Sequence, residues 1–87
     1  MAGVQFTAAG PADAAPPCYR FWNLHGGETM CPTYDVFRVV LGCVHDGATY
    51  TVEGPWVRRG EISSARCNSG DPLEKATNPP TVWWEEG

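Results

Sequence analysis

The sequence predicts an all-β fold, a small disulfide-stapled antiparallel β-sandwich of the immunoglobulin-like kind, on three observations. Four cysteines sit in a chain of only 87 residues. The stretch YDVFRVVLGCVHDGATYTVE, residues 34–53, alternates apolar and polar positions on either side of an Asp-Gly pair. No segment carries apolar residues at i, i+3, i+4, i+7 for long enough to make a helix. Short strands, frequent turn signals and two bridges together point to a sandwich or barrel.

The cysteines come first because a chain this short makes one domain with a thin core. Cys18, Cys31, Cys43 and Cys67 are separated by 12, 11 and 23 residues. None of these gaps is the close Cys pair of a zinc site, and neither histidine lies near such a pair. Disulfides are therefore expected rather than metal, and with them an oxidising compartment, secretion and extracellular work. Of the three possible connectivities, Cys18–Cys31 with Cys43–Cys67 closes two local loops and is the expected one. Each bridge is worth roughly 3 kcal/mol in the chain-entropy picture.

Residues 1–17 read as a leader. Ala12-Asp13-Ala14 is a small-x-small pattern that signal peptidase could cut before Ala15, so residues 1–14 are either the end of an export signal or a flexible Ala/Pro/Gly lead-in. Cys18–Asn23 and Glu28–Cys31 then form a first hairpin around His25-Gly26-Gly27. In the second hairpin Asp46-Gly47 supplies the turn. It sets His45 opposite Ala48, Cys43 opposite Tyr50 and Leu41 opposite Val52. Phe37, Val39, Leu41, Cys43, Tyr50 and Val52 then share the core face. Gly54-Pro55 stops the strand, because proline has no N–H for a ladder, and Trp56-Val57 resumes it. Residues 61–67 make a further strand with Ser63, Ala65 and Cys67 on one face. The sandwich domain is thus expected over 18–67. Residues 68–87 form a polar tail, in which 72–77 could make one helical turn and 81–86 an extra edge strand.

Charge and motifs exclude several functions. Ten acids against six bases give a net charge of -4, with no basic stripe, which argues against nucleic acid and anionic membranes as partners. Five of the six bases are arginine, a usage typical of GC-rich genomes such as those of actinobacteria. No stretch has the length of a transmembrane helix. The candidate acids and bases are His25, His45, Asp35, Asp46 and Glu53. Both histidines fall at turn tips, where no partner is expected to position them. Nucleophile elbows, zinc-protease pairs and phosphate loops are all missing. The expectation is no enzyme, no cofactor and no metal.

Binding fits the aromatics better. Trp22, Trp56, Trp83 and Trp84 are many for this size, and exposed tryptophan is typical of interface hot spots. Trp56, following a turn, reads as a cover for one end of the core. Trp83 and Trp84 cannot both face inward from a strand, so one is expected outside. In the first hairpin Cys18, Arg20 and Trp22 share one face, and Tyr19, Phe21 and Asn23 the other. If Tyr19 and Phe21 fill the core, Arg20 and Trp22 are presented together; the reverse arrangement buries Trp22. Arg58-Arg59 and Glu85-Glu86 read as solvated charge. The candidate partner-binding residues are Arg20, Trp22, Trp83 and Trp84.

The layout of residues 18–67 resembles the proteinaceous α-amylase inhibitors of Streptomyces, the tendamistat type. Cys18 and Cys31 bracket Trp22 in an aromatic hairpin, a strand VFRVVL follows, and after Cys67 comes a short polar tail containing proline. The resemblance implies a six-stranded sandwich with sequentially paired cysteines, and an inhibitory hairpin between the first two. Where that family carries Trp-Arg-Tyr, this chain has Trp22-Asn23-Leu24. Its third cysteine lies before the Asp46-Gly47 turn and not beyond it. The chain is also similar to small secreted actinobacterial β-proteins with a GPWV…G…S…C ending. The expected function is a secreted, non-catalytic binding protein that inhibits a glycoside hydrolase, with Trp22 in the sugar cleft and Arg20 near the catalytic acids. The alternative is a connector subunit of a secreted toxin or adhesion complex, binding partner proteins through its termini. A third reading is a carbohydrate-binding module that stacks sugars on tryptophan.

Overall fold

A computed structural model describes residues 17–87; the export-signal reading of residues 1–14 lies outside them. Among the described residues seven strands run in chain order: β1 (Tyr19–Asn23), β2 (Gly26–Met30), β3 (Val36–His45), β4 (Ala48–Glu53), β5 (Val57–Arg58), β6 (Ile62–Arg66) and β7 (Val82–Glu86). A 3₁₀ turn covers Asn68–Gly70. All pairings are antiparallel. One sheet has the order β1-β2-β6, and in the other β3 is the spine.

The β3–β4 hairpin forms with the register expected from its turn: Leu41 faces Val52, Cys43 faces Tyr50 and His45 faces Ala48. Asp46 and Gly47 take the positive φ values, 50° and 82°, that such a turn requires. Phe37, Val39, Leu41 and Cys43 are fully buried, as alternation demands. Val40 pairs with both Glu53 and Trp83, and Phe37 with both Val57 and Glu86. Strand β7 therefore takes one edge of β3, while β4 and β5 share the other.

The shared edge is broken by a bulge. From Phe37 to Val40 is three residues along β3, but from Glu53 to Val57 is four along the returning chain (40 − 37 against 57 − 53). The extra residue falls at Gly54-Pro55, where proline cannot donate. Here the Val39 N–H donates to the Ser63 hydroxyl at 3.0 Å, and that hydroxyl donates to the Pro55 carbonyl at 2.7 Å. A side chain of the opposite sheet thus replaces the ladder bond the bulge removes. Gly54 must be glycine for this approach, since a Cβ there would lie 2.6 Å from a Val39 methyl and 2.8 Å from the Ser63 hydroxyl.

Both disulfides form as expected, Cys18–Cys31 and Cys43–Cys67. The first joins the open ends of β1 and β2. The second crosses from β3 to the end of β6 in the other sheet. Around them the core divides in two. Val39, Leu41, Cys43, Cys67, Leu73 and Val82 form the larger cluster; Cys18, Cys31 and Phe37 form the smaller, covered by Tyr34, Val57 and Trp84.

Four expectations change. The turn of the first hairpin is Leu24-His25, because Asn23 faces Gly26. Asn23 Oδ1 accepts the His25 N–H at 2.8 Å, an Asx turn. Gly26 and Gly27 lie in β2, where a Cβ would meet the Ala65 carbonyl at 2.6 Å and a Val82 methyl at 2.8 Å respectively. Residues 72–77 form no helical turn: Leu73 is buried and bridges Cys43. Trp56 does not cover the core but stands 46% exposed. The segment 68–87 belongs to the sandwich, since it supplies the core residues Leu73 and Val82 as well as β7.

Two buried hydroxyls that face each other across β2 and β6 should respond oppositely to removal. Thr29 Oγ1 is buried without a hydrogen-bond partner. Thr29→Val replaces it with a methyl of the same shape and should stabilise the fold by about 1 kcal/mol. Ser63→Ala orphans the Val39 N–H and the Pro55 carbonyl, and should cost about 2 kcal/mol. Denaturant midpoints at unchanged slope check both.

Candidate functional site

The Cys18–Cys31 bridge at one end and the Asx turn at the other fix the β1–β2 hairpin, and β6 pairs along the whole of β2. Cys18 and Thr29 face inward and are buried. Alternation therefore turns Arg20 and Trp22 toward the other sheet, and Tyr19 and Phe21 to solvent. This reverses the arrangement that displays Arg20 with Trp22. Tyr19 is 59% exposed, Phe21 53% and Trp22 38%. Ile62, which aligns with Met30 and Tyr19 in one cross-strand row, is exposed with Tyr19, and Met30 between them is half-buried.

Arg20, Trp22, Trp83 and Trp84 do come together, along the seam between β1 and the C-terminal segment. Trp22 Nε1–H donates to the Ala76 carbonyl at 3.0 Å. An Arg20 guanidinium N–H donates to the Val82 carbonyl at 3.2 Å. The Trp83 and Trp84 rings stack with centroids 4.3 Å apart and planes 12° from parallel. The Arg20 guanidinium carbon lies over Trp83, 4.8 Å from its centroid. Trp84 packs on the Cys18–Cys31 cluster and Trp83 is the exposed member of the pair, as strand alternation requires. The Trp83 ring stacks on Trp84 and carries the Arg20 guanidinium, yet remains 52% exposed. These four residues hold the chain's own tail.

The outer face of the β3 sheet is mixed. Arg38 lies over the Trp56 ring at 4.4 Å and pairs with Glu85 at 2.7 Å. Arg59 pairs with Asp35. Val36, Trp56 and Trp83 are exposed apolar residues there.

The histidines do have partners, contrary to expectation. His45 Nδ1–H donates to Asp71 Oδ1 at 2.9 Å, and the Tyr50 hydroxyl donates to Asp71 Oδ2 at 2.6 Å. The Tyr50 oxygen also accepts the Asn68 N–H at 2.9 Å. His25 Nδ1–H lies 3.3 Å from the Asp71 carbonyl oxygen. The Tyr50 hydroxyl, and then His45, hold the Asp71 carboxyl below its ordinary range. Burial and that carboxylate push the Tyr50 hydroxyl up. Asp71 sits in the tail, where the sequence carried no sign that the histidines, at two different hairpin ends, would meet it. Its neighbours are ladder ends and the 3₁₀ turn, so the cluster works as a clasp on one end of the sandwich. Among the described residues no group of three or more metal-ligating side chains forms, and no cysteine is free.

No protein-family model matches the chain, and comparison with curated proteins and with solved structures returned no match.

The clasp predicts a pH dependence. A carboxyl whose folded pKa is depressed adds stability above its unfolded value, and that stability is lost as pH falls through the folded value. Asp71→Asn should therefore melt below the wild type at neutral pH. The gap should close as acid protonates Asp71, and parallel thermal melts from neutral into acid check it.

Proposed function

We propose that this chain is a secreted, non-catalytic binding protein whose docking element is the clamped β1–β2 hairpin, and that its partner is a secreted glycoside hydrolase of the α-amylase type, blocked at its active-site cleft. One observation carries the reading: Tyr19 and Phe21 stand more than half exposed on a hairpin held at both ends. Large rings fixed in place lose little entropy on docking and are typical anchors of interfaces. Two disulfides and the lack of any helix able to cross a membrane among the described residues are compatible with an extracellular location.

Size favours insertion over flat docking. Three five-residue strands present a face of about 17 Å by about 14 Å. That is well short of the ~800 Å² per partner that a stable flat interface buries. A projecting hairpin that enters a concave site gains contact on several sides. In this form Tyr19 and Phe21 take the role expected of Trp22, and Arg66, at the end of the same outer face, takes that of Arg20.

A connector role is the second reading, and a different observation favours it. Trp56 and Val36 are exposed on the outer face of the opposite sheet, so the sandwich offers apolar groups on two opposed sides. Strand β7 lies within the chain's own sheet with Val82 in the core, so in this reading the faces carry the contacts and the C-terminus does not.

The wild type should inhibit starch hydrolysis by a secreted α-amylase. Tyr19→Ser with Phe21→Ser should weaken inhibition at least about thirtyfold, the equivalent of ~2 kcal/mol. Absence of inhibition by the folded wild type sinks the inhibitor reading. Capture of two different proteins from culture fluid, one lost with that double variant and the other with Trp56→Ser, establishes the connector in its place.

A further inference from the structure

The outer face of the β1-β2-β6 sheet changes character along its strands. Tyr19, Met30 and Ile62 form an apolar row; Phe21, Glu28 and Ser64 form the next; Asn23, Gly26 and Arg66 form the third. Gly26 has no side chain, and Arg66 leans over it, its Cγ 3.3 Å from where a Gly26 Cβ would stand. A depression of ≈ 380 Å³ lies there, lined by Phe21, Asn23, Gly26, Glu28, Ser64 and Arg66 among others. That volume falls at the lower end of small-ligand sites. Its β1 and β6 walls stand two strand spacings apart, about 10 Å, enough for one sugar ring between them.

The walls supply complementary groups. Phe21 offers an exposed ring. Glu28 Oε1 accepts the Ser64 hydroxyl at 3.0 Å, which holds the carboxylate and leaves Oε2 as an acceptor. Asn23 Oδ1 is taken by the His25 N–H, which fixes the amide with its NH₂ still able to donate. No carboxylate among the described residues pairs with Arg66. The depression thus combines an aromatic face, a fixed acceptor and two sets of donors.

We infer that this depression is a binding site for a glycan, with one pyranose ring stacked on Phe21 and its hydroxyls shared among Glu28, Asn23 and Arg66. Each sugar hydroxyl both donates and accepts, so adjacent hydroxyls need donors and acceptors side by side. A net anion would meet Glu28 and a net cation Arg66, and the balanced pair favours an uncharged polyhydroxylated ligand. The C–H face of a pyranose suits an open aromatic ring. Two exposed tryptophans are already engaged: Trp83 stacks on Trp84 and carries Arg20, and Trp56 carries Arg38. The site shares Phe21 and Arg66 with the face proposed to dock the hydrolase, but its ligand is a free glycan and the assignment stands without the amylase reading.

Amide chemical-shift titration of the folded chain with maltotriose, cellotriose and tri-N-acetylchitotriose tests this, with the dipeptide Gly-Gly as a zwitterionic comparator. At least one sugar should shift Gly26, Glu28, Ser64 and Arg66 saturably. Phe21→Ala should weaken binding about tenfold or more, and Glu28→Gln should weaken it too. Trp83→Ala, which keeps the depression intact, should bind as the wild type does. No saturable shift with any of the three sugars, a response only to Gly-Gly, or an undiminished response in folded Phe21→Ala overturns the assignment. Because the readout is direct binding, its failure is distinct from a failure to inhibit amylase.

Discussion

Cys43 lies within the spine strand of one sheet and Cys67 directly follows an edge strand of the other, so their bridge joins the two sheets across the core. Much of the remaining structure follows from that join. The 3₁₀ turn begins directly after Cys67, Leu73 comes back to bridge Cys43, and Thr81 lies beside Gly42, its carbonyl accepting the Gly42 N–H at 2.8 Å. The tail is thereby delivered to the free edge of β3, where Val82 completes the core. A chain this small buries too little to be generous with apolar contacts. Here all four half-cystines are core residues themselves, and each bridge sits inside one of the two hydrophobic clusters. A bridge worth roughly 3 kcal/mol is comparable with the net stability of a small domain, commonly ~5 kcal/mol or more.

The same economy appears in the hydrogen bonds. The bulge at Gly54-Pro55 bends one strand of the spine sheet, and its cost falls on Val39 N–H and Pro55 C=O. One serine hydroxyl from the opposite sheet serves both. This ties β6 to β3 by a polar link a few residues from the covalent one, and it demands a glycine at position 54. At the far end, Asp71 gathers His45 and Tyr50 with its carboxylate and the His25 ring with its backbone carbonyl, through contacts that no short sequence window contains.

Legibility from sequence follows the range of the determining interaction. The β3–β4 hairpin is readable to the residue, because Asp46-Gly47 and strict alternation act within twenty positions and agree. The pairing of the cysteines is readable because sequential bridges close short loops. Gly26-Gly27 misleads, since a glycine pair suggests a turn while its physical cause here is close approach by Ala65 and Val82. Asn23, whose side chain can cap a turn two residues on, carried the local signal for the true one. Trp56 misleads for a similar reason: only the position of Arg38 shows why a tryptophan can stay at the surface. The partners of the two histidines lie 26 and 46 residues away and leave no local trace.

The orientation of β1 is the most consequential case. Its two faces carry Arg20 and Trp22 on one side and Tyr19 and Phe21 on the other, and each set is apolar enough to be buried. Intrinsic preference cannot choose between them, because a strand with aromatic residues on both faces satisfies alternation either way. The choice is made by what the inner face meets. Trp22 finds the Ala76 carbonyl, Arg20 finds the Val82 carbonyl, and the Trp83–Trp84 stack accepts the Arg20 guanidinium. Turned the other way, Phe21 could not donate to either carbonyl and Val82 would lose its charged donor. The C-terminal segment therefore decides which aromatic pair the hairpin shows to solvent. The residues that looked most like a binding site hold that segment in place, and by doing so they put Tyr19 and Phe21 on display.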